Sequence, residues 1–291
     1  MAYQSLQEIL DYCEQNHRKF YEAVMDDDCQ ERTVTEEESK QQMYAMWDAM
    51  LLASTTYEGN RKSASGLVGG QGLLMREYVG RGDSLCGDFL GQVIAQALEM
   101  GESNACMKRI VAAPTAGSCG VLPAILIPYY KTYEVSHEAV IESMYVAAGI
   151  GQVIAARAFI AGAAGGCQAE IGSASAMAAG AMVALKGGTN EQIITASAIA
   201  LKCLLGLVCD PVAGLVEVPC VKRNATGAVN ALTAADMALA GITSAIPADQ
   251  VIDAMREVGE KMHPSLRETG KGGLAATPAA IDFTNLLKSQ R

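Results

Sequence analysis

The chain has 291 residues, 50% of them hydrophobic, 19% charged and only 5% aromatic, with a formal net charge of −10. That length suits one large domain or two modest ones with a real core, and Ala, Leu, Ile, Val and Met, whose small and flexible side chains allow close helix packing, dominate the apolar content. The acidic balance argues against a nucleic-acid partner, because phosphate binding needs clustered Lys and Arg.

Residues 1–56 read as helices with an acidic, solvated middle, "DDDCQERTVTEEESK". The opening "MAYQSLQEILDYCEQNHRKF" is an amphipathic polar helix without the apolar segment of a secretion signal, so a cytoplasmic protein is expected. Residues 57–84 carry seven glycines and read as a loop or active-site lid. Helical patterning resumes near Ser84 and runs to Met107, followed by the loop "APTAGSCGVLP". Helices are expected at about 121–133, 137–162, 173–186, 190–206, 225–241 and 248–262. Ser173 before an Ala-rich run, Thr189-Asn190-Glu191 and Pro247-Ala248-Asp249 read as helix starts. "PSLRETGKGGLAATP" is a second Gly-rich loop.

No internal repeat, no alternation of short strands and no βαβ rhythm is visible. The fold class is therefore mostly α: a compact multi-helix domain with Gly-rich functional loops and little or no sheet. A helical segment over 1–56 and a catalytic region over 57–291 are expected to form one continuous domain. The uncharged run Ile110–Tyr130 holds three Pro and two Gly, and the apolar run Val146–Gly166 carries Gln152 and Arg157. The second reads as a buried helix, and no membrane span is expected.

Nine cysteines stand at 13, 29, 86, 106, 119, 167, 203, 209 and 220. An odd number in a chain without an export signal argues against a disulfide framework, and most read as core filler. Cys167, in "AGGCQAEIG", and Cys209 and Cys220, in "GLVCDPVAGLVEVPC", differ by lying beside Gly or Pro at helix ends or in loops. Loop thiols can face a common centre while nearby backbone N–H groups bond to its sulfurs, which is what an iron–sulfur cluster needs. Three cysteines rather than four would leave one iron of a 4Fe–4S cluster open, a Lewis acid able to take a carboxylate and a hydroxyl. By spacing alone three packing thiols are the commoner arrangement. Neither a ferredoxin-type run nor a zinc-type pair of C-x-x-C motifs is present.

The wording around these cysteines is more specific. "IVAAPTAGSCGVLPA", "GCQAEIGSASAMAAG", "LGLVCDPVAGLVEVPCVKRNATGAVNA" and "RETGKGGLA" together resemble the α subunit, or catalytic domain, of the iron–sulfur-dependent L-serine dehydratases. The resemblance runs from about Asn104 to Ala275 in the same order. It implies an all-helical catalytic domain and a separate β subunit as partner. It also implies a 4Fe–4S cluster on Cys167, Cys209 and Cys220, and deamination of L-serine to pyruvate and ammonia by loss of water. One departure is the terminus: some single-chain relatives end in a cysteine that reaches back to the cluster, whereas this chain ends "TNLLKSQR".

Substrate contacts are expected from the loop Ala113–Gly120, where the hydroxyls of Thr115 and Ser118 and the backbone N–H groups form a nest suited to a carboxylate. "RKSASGLVGG", with Ser63, Ser65 and Gly66, is a second anion-loop candidate. Arg223 and Asn224 follow the third cysteine closely and read either as orienting substrate or cluster or as structural residues, while Cys119 reads as a spare thiol. Only three histidines exist, His17, His137 and His263, and each reads as structural, so the base that removes the α-proton is expected from the β subunit. Rival readings are a pyridoxal-phosphate dehydratase with Lys62 as Schiff base and a non-catalytic iron–sulfur or redox-sensing subunit. The first calls for a strand-rich fold, so no pyridoxal phosphate is expected. L-cysteine or L-threonine could replace serine in the same elimination.

Overall fold

Thirteen α-helices run through residues 3–289, the part of the chain that the computed structural model describes, and no strand forms among them. They are α1 (Leu6–Asn16), α2 (Phe20–Arg32), α3 (Glu36–Thr55), α4 (Gln71–Gly80), α5 (Gly87–Ala105), α6 (Val121–Tyr133), α7 (His137–Arg157), α8 (Gly162–Gly165), α9 (Ser173–Leu185), α10 (Asn190–Lys202), α11 (Cys220–Leu239), α12 (Ala248–Lys261) and α13 (Pro278–Ser289). The mostly helical class read from the sequence is the class found.

Local chemistry sets several of the starts. Thr35 takes the Glu38 N–H while the Glu38 carboxylate takes the Thr35 N–H at 2.8 Å, and Thr189 and Gln192 repeat this reciprocal pairing at the start of α10. Ser136 accepts from Ala139 N–H at 3.2 Å and opens α7. Ser173, expected to open a helix, is instead in mid-run: a wide π turn over Gln168–Gly172 leads straight into α9.

The sequence expectation fails most clearly at 57–84, which is not all loop. It contains α4, whose first N–H groups, from Gln71 and Gly72, are accepted by Glu102 of α5 at 2.7 and 3.3 Å. Arg76 of α4 then forks onto Glu99 of α5 at 2.5 and 2.6 Å. The cap comes from another helix, so no local signal announces it. The expected helices 137–162 and 190–206 end early, at Arg157 and Lys202, α11 begins at Cys220 rather than 225, and α13 is an additional helix.

At the centre lies α9, where every residue from 171 to 183 is buried. It packs against α7, α10, α11 and α6. Small side chains permit the approach: a Cβ on Gly180 would lie 2.3 Å from Ile150 Cδ1 of α7. Leu6, Ile9, Phe20 and Trp47 join the same apolar cluster, so the N-terminal helices share the core of the rest. Among the described residues one helix, His137–Arg157, is long and apolar enough to cross a membrane by length and composition, and 61% of its most apolar window is buried in this packing.

Candidate active site

Three turns bring the cysteines of interest to one end of α9 and α11. Cys167 precedes the π turn, Cys209 lies in the segment after α10, and Cys220 is the first residue of α11. All three are withdrawn from solvent, at 2%, 3% and 8% exposure. The Cys209 thiol donates to the Cys167 sulfur, and the Arg223 guanidinium does so too. These contacts pull Cys167 below the usual thiol range, the Cys209 hydrogen bond first, and outweigh its burial. The same bond pushes Cys209 well up, and burial pushes Cys220 up to about 12.

Backbone pairing fixes the turns. Gln168 donates its N–H to Leu207 O at 2.9 Å, accepts Gly206 N–H at 2.9 Å and donates its amide to Met255 O at 3.0 Å. Cys209 pairs with the 266–268 segment: its N–H donates to Leu266 O at 2.8 Å and its carbonyl accepts Glu268 N–H at 2.7 Å. Asp210 accepts Leu274 N–H at 2.8 Å. The Gly-rich "RETGKGGLA" segment is thus the strap that holds the Cys209 turn. Arg223 Nη2 forms an ion pair with Asp210 Oδ1 at 2.9 Å. Its Nη1 donates to Val208 O at 2.7 Å.

The loop 113–120 abuts this end. Thr115 Oγ1 donates to Glu170 Oε1 at 2.8 Å and lies 3.2 Å from Ser118 Oγ. Ser118 is fully buried and faces the carbonyls of Ala113 and Thr115. The N–H groups of Thr115, Ser118, Cys119 and Gly120 are all spent within the loop or on Asn224. Asn224 is itself fully buried: it accepts Gly120 N–H at 2.8 Å and donates to Gly117 O at 2.8 Å and Cys220 O at 3.0 Å. It staples the loop to α11 beside Cys220. Cys119 is buried, its thiol facing Met100 O and pushed up to about 12 by burial.

Ser63 and Ser65 do not form an open anion loop. Both hydroxyls donate to the buried carboxylate of Glu217, Ser63 at 2.8 Å, and so tie the 57–70 segment to the turn before Cys220. Gly66 lies in the same turn with a left-handed φ of 76°, and a Cβ built there would meet nothing within 4 Å. Lys62 donates to Gly69 O at 2.6 Å within its own loop. Of the histidines, His17 ends α1 in a left-handed conformation, His137 opens α7 with its ring 5.1 Å from that of Tyr130, and His263 caps the turn Pro264–Leu266.

Glu170 is the residue the sequence reading passes over. It lies inside the quoted motif "GCQAEIG", the one acid in a run of small and apolar residues. Burial raises its pKa above the usual carboxylate value. Its charge in turn raises the pKa of Cys167, Cys209 and Cys220, which places it within electrostatic reach of all three. A Cβ on Gly162 would lie 2.7 Å from Glu170 Oε2 and 2.8 Å from Cys209 Sγ, so only glycine fits this close to carboxylate and thiol. Among the described residues, no three His, Cys, Asp or Glu side chains gather tightly enough to grip a single metal ion.

The family model for the serine dehydratase alpha chain matches residues 15–275, nearly the whole chain. The chain belongs to this family. It is 45% identical over 271 residues to the L-serine dehydratase alpha chain of Peptoniphilus asaccharolyticus, covering 93% of both chains. It is 54% identical over 221 residues to a probable L-serine dehydratase alpha chain of Bacillus subtilis, covering 76% of this chain and 74% of that one. An L-serine dehydratase of Mycobacterium bovis is 37% identical over 298 residues, an alignment that takes in 96% of this chain but 62% of the longer relative.

Proposed function

We propose that the chain is the catalytic α subunit of an L-serine dehydratase, a lyase that converts L-serine to pyruvate and ammonia. The observation that carries this is the gathering of three buried thiols from three separate turns beside the Thr115–Glu170 pair. Family membership supports the same reading.

Cys167, Cys209 and Cys220 suit a 4Fe–4S cluster as its three protein ligands. Cys167 and Cys209 share a hydrogen bond, the Arg223 charge acts on Cys167 and Cys220, and Cys167 is biased toward the thiolate that ligation requires. When bound, the cluster supplies a Lewis-acidic iron for the oxygen atoms of the substrate. The chain's own residues do the rest. Arg223 offsets the negative charge at the Cys167 sulfur. Asn224 fixes the 113–120 loop, and Ser63 and Ser65 fix the turn before Cys220 through Glu217. Thr115 is the loop hydroxyl expected to border the substrate, while Ser118, buried against carbonyls of its own loop, keeps that loop in shape; the double alanine variant is expected to raise KM. L-Cysteine and L-threonine follow the same elimination path and are expected as slower substrates.

The base that takes the α-proton comes from a second, β chain in this reading, since the three histidines here are exposed and engaged locally. Anaerobic purification with and without that chain tests the whole proposal. Expected are about four iron and four sulfide per α chain, with serine-dependent pyruvate only when both chains are present. Full turnover by the isolated chain would remove the base from the partner. A reconstituted two-chain protein that holds the iron but makes no pyruvate would overturn the reaction.

A further inference from the structure

The first turn of α11 is tied on two sides by consecutive residues. Cys220 opens the helix, and Pro219 before it offers no side-chain cap. A start of that kind leans on what its own side chains reach. Arg223 reaches the thiol side: its Nη1 donates to Val208 O at 2.7 Å and its Nη2 pairs with Asp210 at 2.9 Å. Asn224, the next residue, reaches the loop Ala113–Gly120. It accepts Gly120 N–H at 2.8 Å and donates to Gly117 O at 2.8 Å, and it also donates to Cys220 O at 3.0 Å. The side chain is fully buried and both of its amide protons are used. A Cβ on Gly120 would stand 2.7 Å from Ala97 O and 3.0 Å from Asn224 Oδ1, so glycine is what lets the loop close onto this amide. Asn104, Glu170 and Met100 each give the loop one further contact, at Ala116 O, Thr115 Oγ1 and the Cys119 thiol. Asn224 grips it twice.

We infer that Asn224 is the positioning residue that couples the cysteine end to the loop Ala113–Gly120, so that the loop keeps its working shape only while Cys220 is anchored. This rests on the serine dehydratase reading, in which Cys220 is a cluster ligand and Thr115 borders the substrate. With the thiol ligated, the first turn of α11 is fixed at its first residue, and Asn224, one turn on, holds Gly117 and Gly120 in register. Without the ligand that turn loses its anchor, and its movement carries away the amide that closes the loop. Loss of the cofactor is then felt as loss of substrate affinity as well as of chemistry, which is a coupling between two sites through one shared element.

The test uses the two-chain holoenzyme, kept anaerobic, before and after a chelator removes its iron. Hydrogen exchange is read by mass spectrometry in a peptide covering residues 113–122. In wild type, exchange there is expected to quicken about tenfold or more on iron removal, while α9 stays protected in both states. Asn224→Ala, with an iron content equal to wild type, is expected to exchange fast in this peptide with or without iron. The same variant should raise KM for serine about tenfold and leave kcat within about threefold. If Asn224→Ala does not hold iron, Asn224→Asp carries the test with the same expectation, since it keeps the acceptor for Gly120 and loses both donors. Wild-type exchange that ignores iron overturns the coupling, and so does a variant that keeps the iron-dependent protection. Faster exchange in α9 of the variant overturns it too, because that pattern belongs to a residue of the general fold. Iron content and pyruvate formation, measured in parallel, separate the two readings. Iron and turnover with an unresponsive loop sink only the role of Asn224. A two-chain protein without iron sinks the cluster, and the coupling with it.

Discussion

Around α9, burial is apolar and self-sufficient. Every residue from 171 to 183 is inside; Ser175 donates to Gly227 O at 2.8 Å, Ser197 of α10 donates to Ala176 O at 3.2 Å, and the buried Ser173 hydroxyl has no hydrogen-bond partner. At the cysteine end burial is charged and interdependent. Asp210, Glu217 and the three thiols are buried, with Arg223 and Glu170 half-buried beside them, at turns and helix starts. The helical layer is stabilised by area and fit, and its faults are expected to spread as lost packing. The turns are stabilised by pairs, and removing one member strands the other.

The sharpest way to separate the two regions is Cys209→Ser. It should abolish iron and sulfide binding, and with it serine turnover, while far-ultraviolet circular dichroism stays that of wild type because no helix of the α9 layer depends on that sulfur. Retention of the full iron content would remove Cys209 from the ligand set. Arg223→Ala comes next. It leaves Asp210 buried at 4% side-chain exposure without its cation and takes two donors from the Cys167–Val208 turn. A loss of about 3–5 kcal/mol is expected from breaking a buried pair, read by denaturant unfolding and accompanied by weakened iron retention. Arg223→Lys should recover part of the charge and little of the geometry, since a point charge cannot reproduce the fork. Gly180→Val strikes the other region. Its added carbons meet Ile150 Cδ1, where even a Cβ would lie at 2.3 Å. Overpacking of this kind costs about 1–3 kcal/mol, so the melting temperature should fall while KM for serine and iron content hold. A change in KM larger than the change in stability would mean that the two regions are not separable.

How legible each region is in the sequence follows from the same difference. The α9 layer announces itself through Ala-rich runs and capping residues, so α6, α7, α9, α10 and α12 are found close to their expected starts. The misses are where tertiary partners decide. Glu102, some thirty residues away in sequence, caps α4, and a seven-glycine stretch that reads as loop becomes a helix. At the cysteine end the ligand candidates stand out because thiols beside Gly and Pro are conspicuous. Their supporting residues do not. Gln168, Asp210 and Glu217 act through backbone groups or partners 38 to 154 residues away. Glu170 carries one local signal, an acid where every neighbour is small or apolar, and only its contact with Thr115 gives that signal meaning. Asn224 is visible in the motif, but its three backbone bonds are visible only in the fold.

The smallest expected effect lies outside both regions and calibrates them. Glu138, in the first turn of α7, accepts a hydrogen bond from the Tyr44 hydroxyl and faces Lys40 at 3.3 Å, which joins α3 to α7. The Tyr44 hydrogen bond, then Lys40, holds its carboxyl below the usual value. The folded state therefore binds fewer protons here than the unfolded chain does. The stabilisation is complete above the ordinary glutamate pKa of about 4.3 and is lost as pH falls through the lowered value. Glu138→Gln keeps the shape and removes the titration. The melting temperature of wild type should exceed that of Glu138→Gln by a small constant margin from neutral pH down to about pH 5, and the margin should close below that. The group is nearly half exposed, so solvent screens it and 1 M salt should shrink the margin. The Arg223–Asp210 pair, with little solvent around it, should keep most of its effect at the same salt. If both effects vanish together in salt, the cysteine end is wetter than its burial implies, and its stability is not set by pairs that solvent cannot reach.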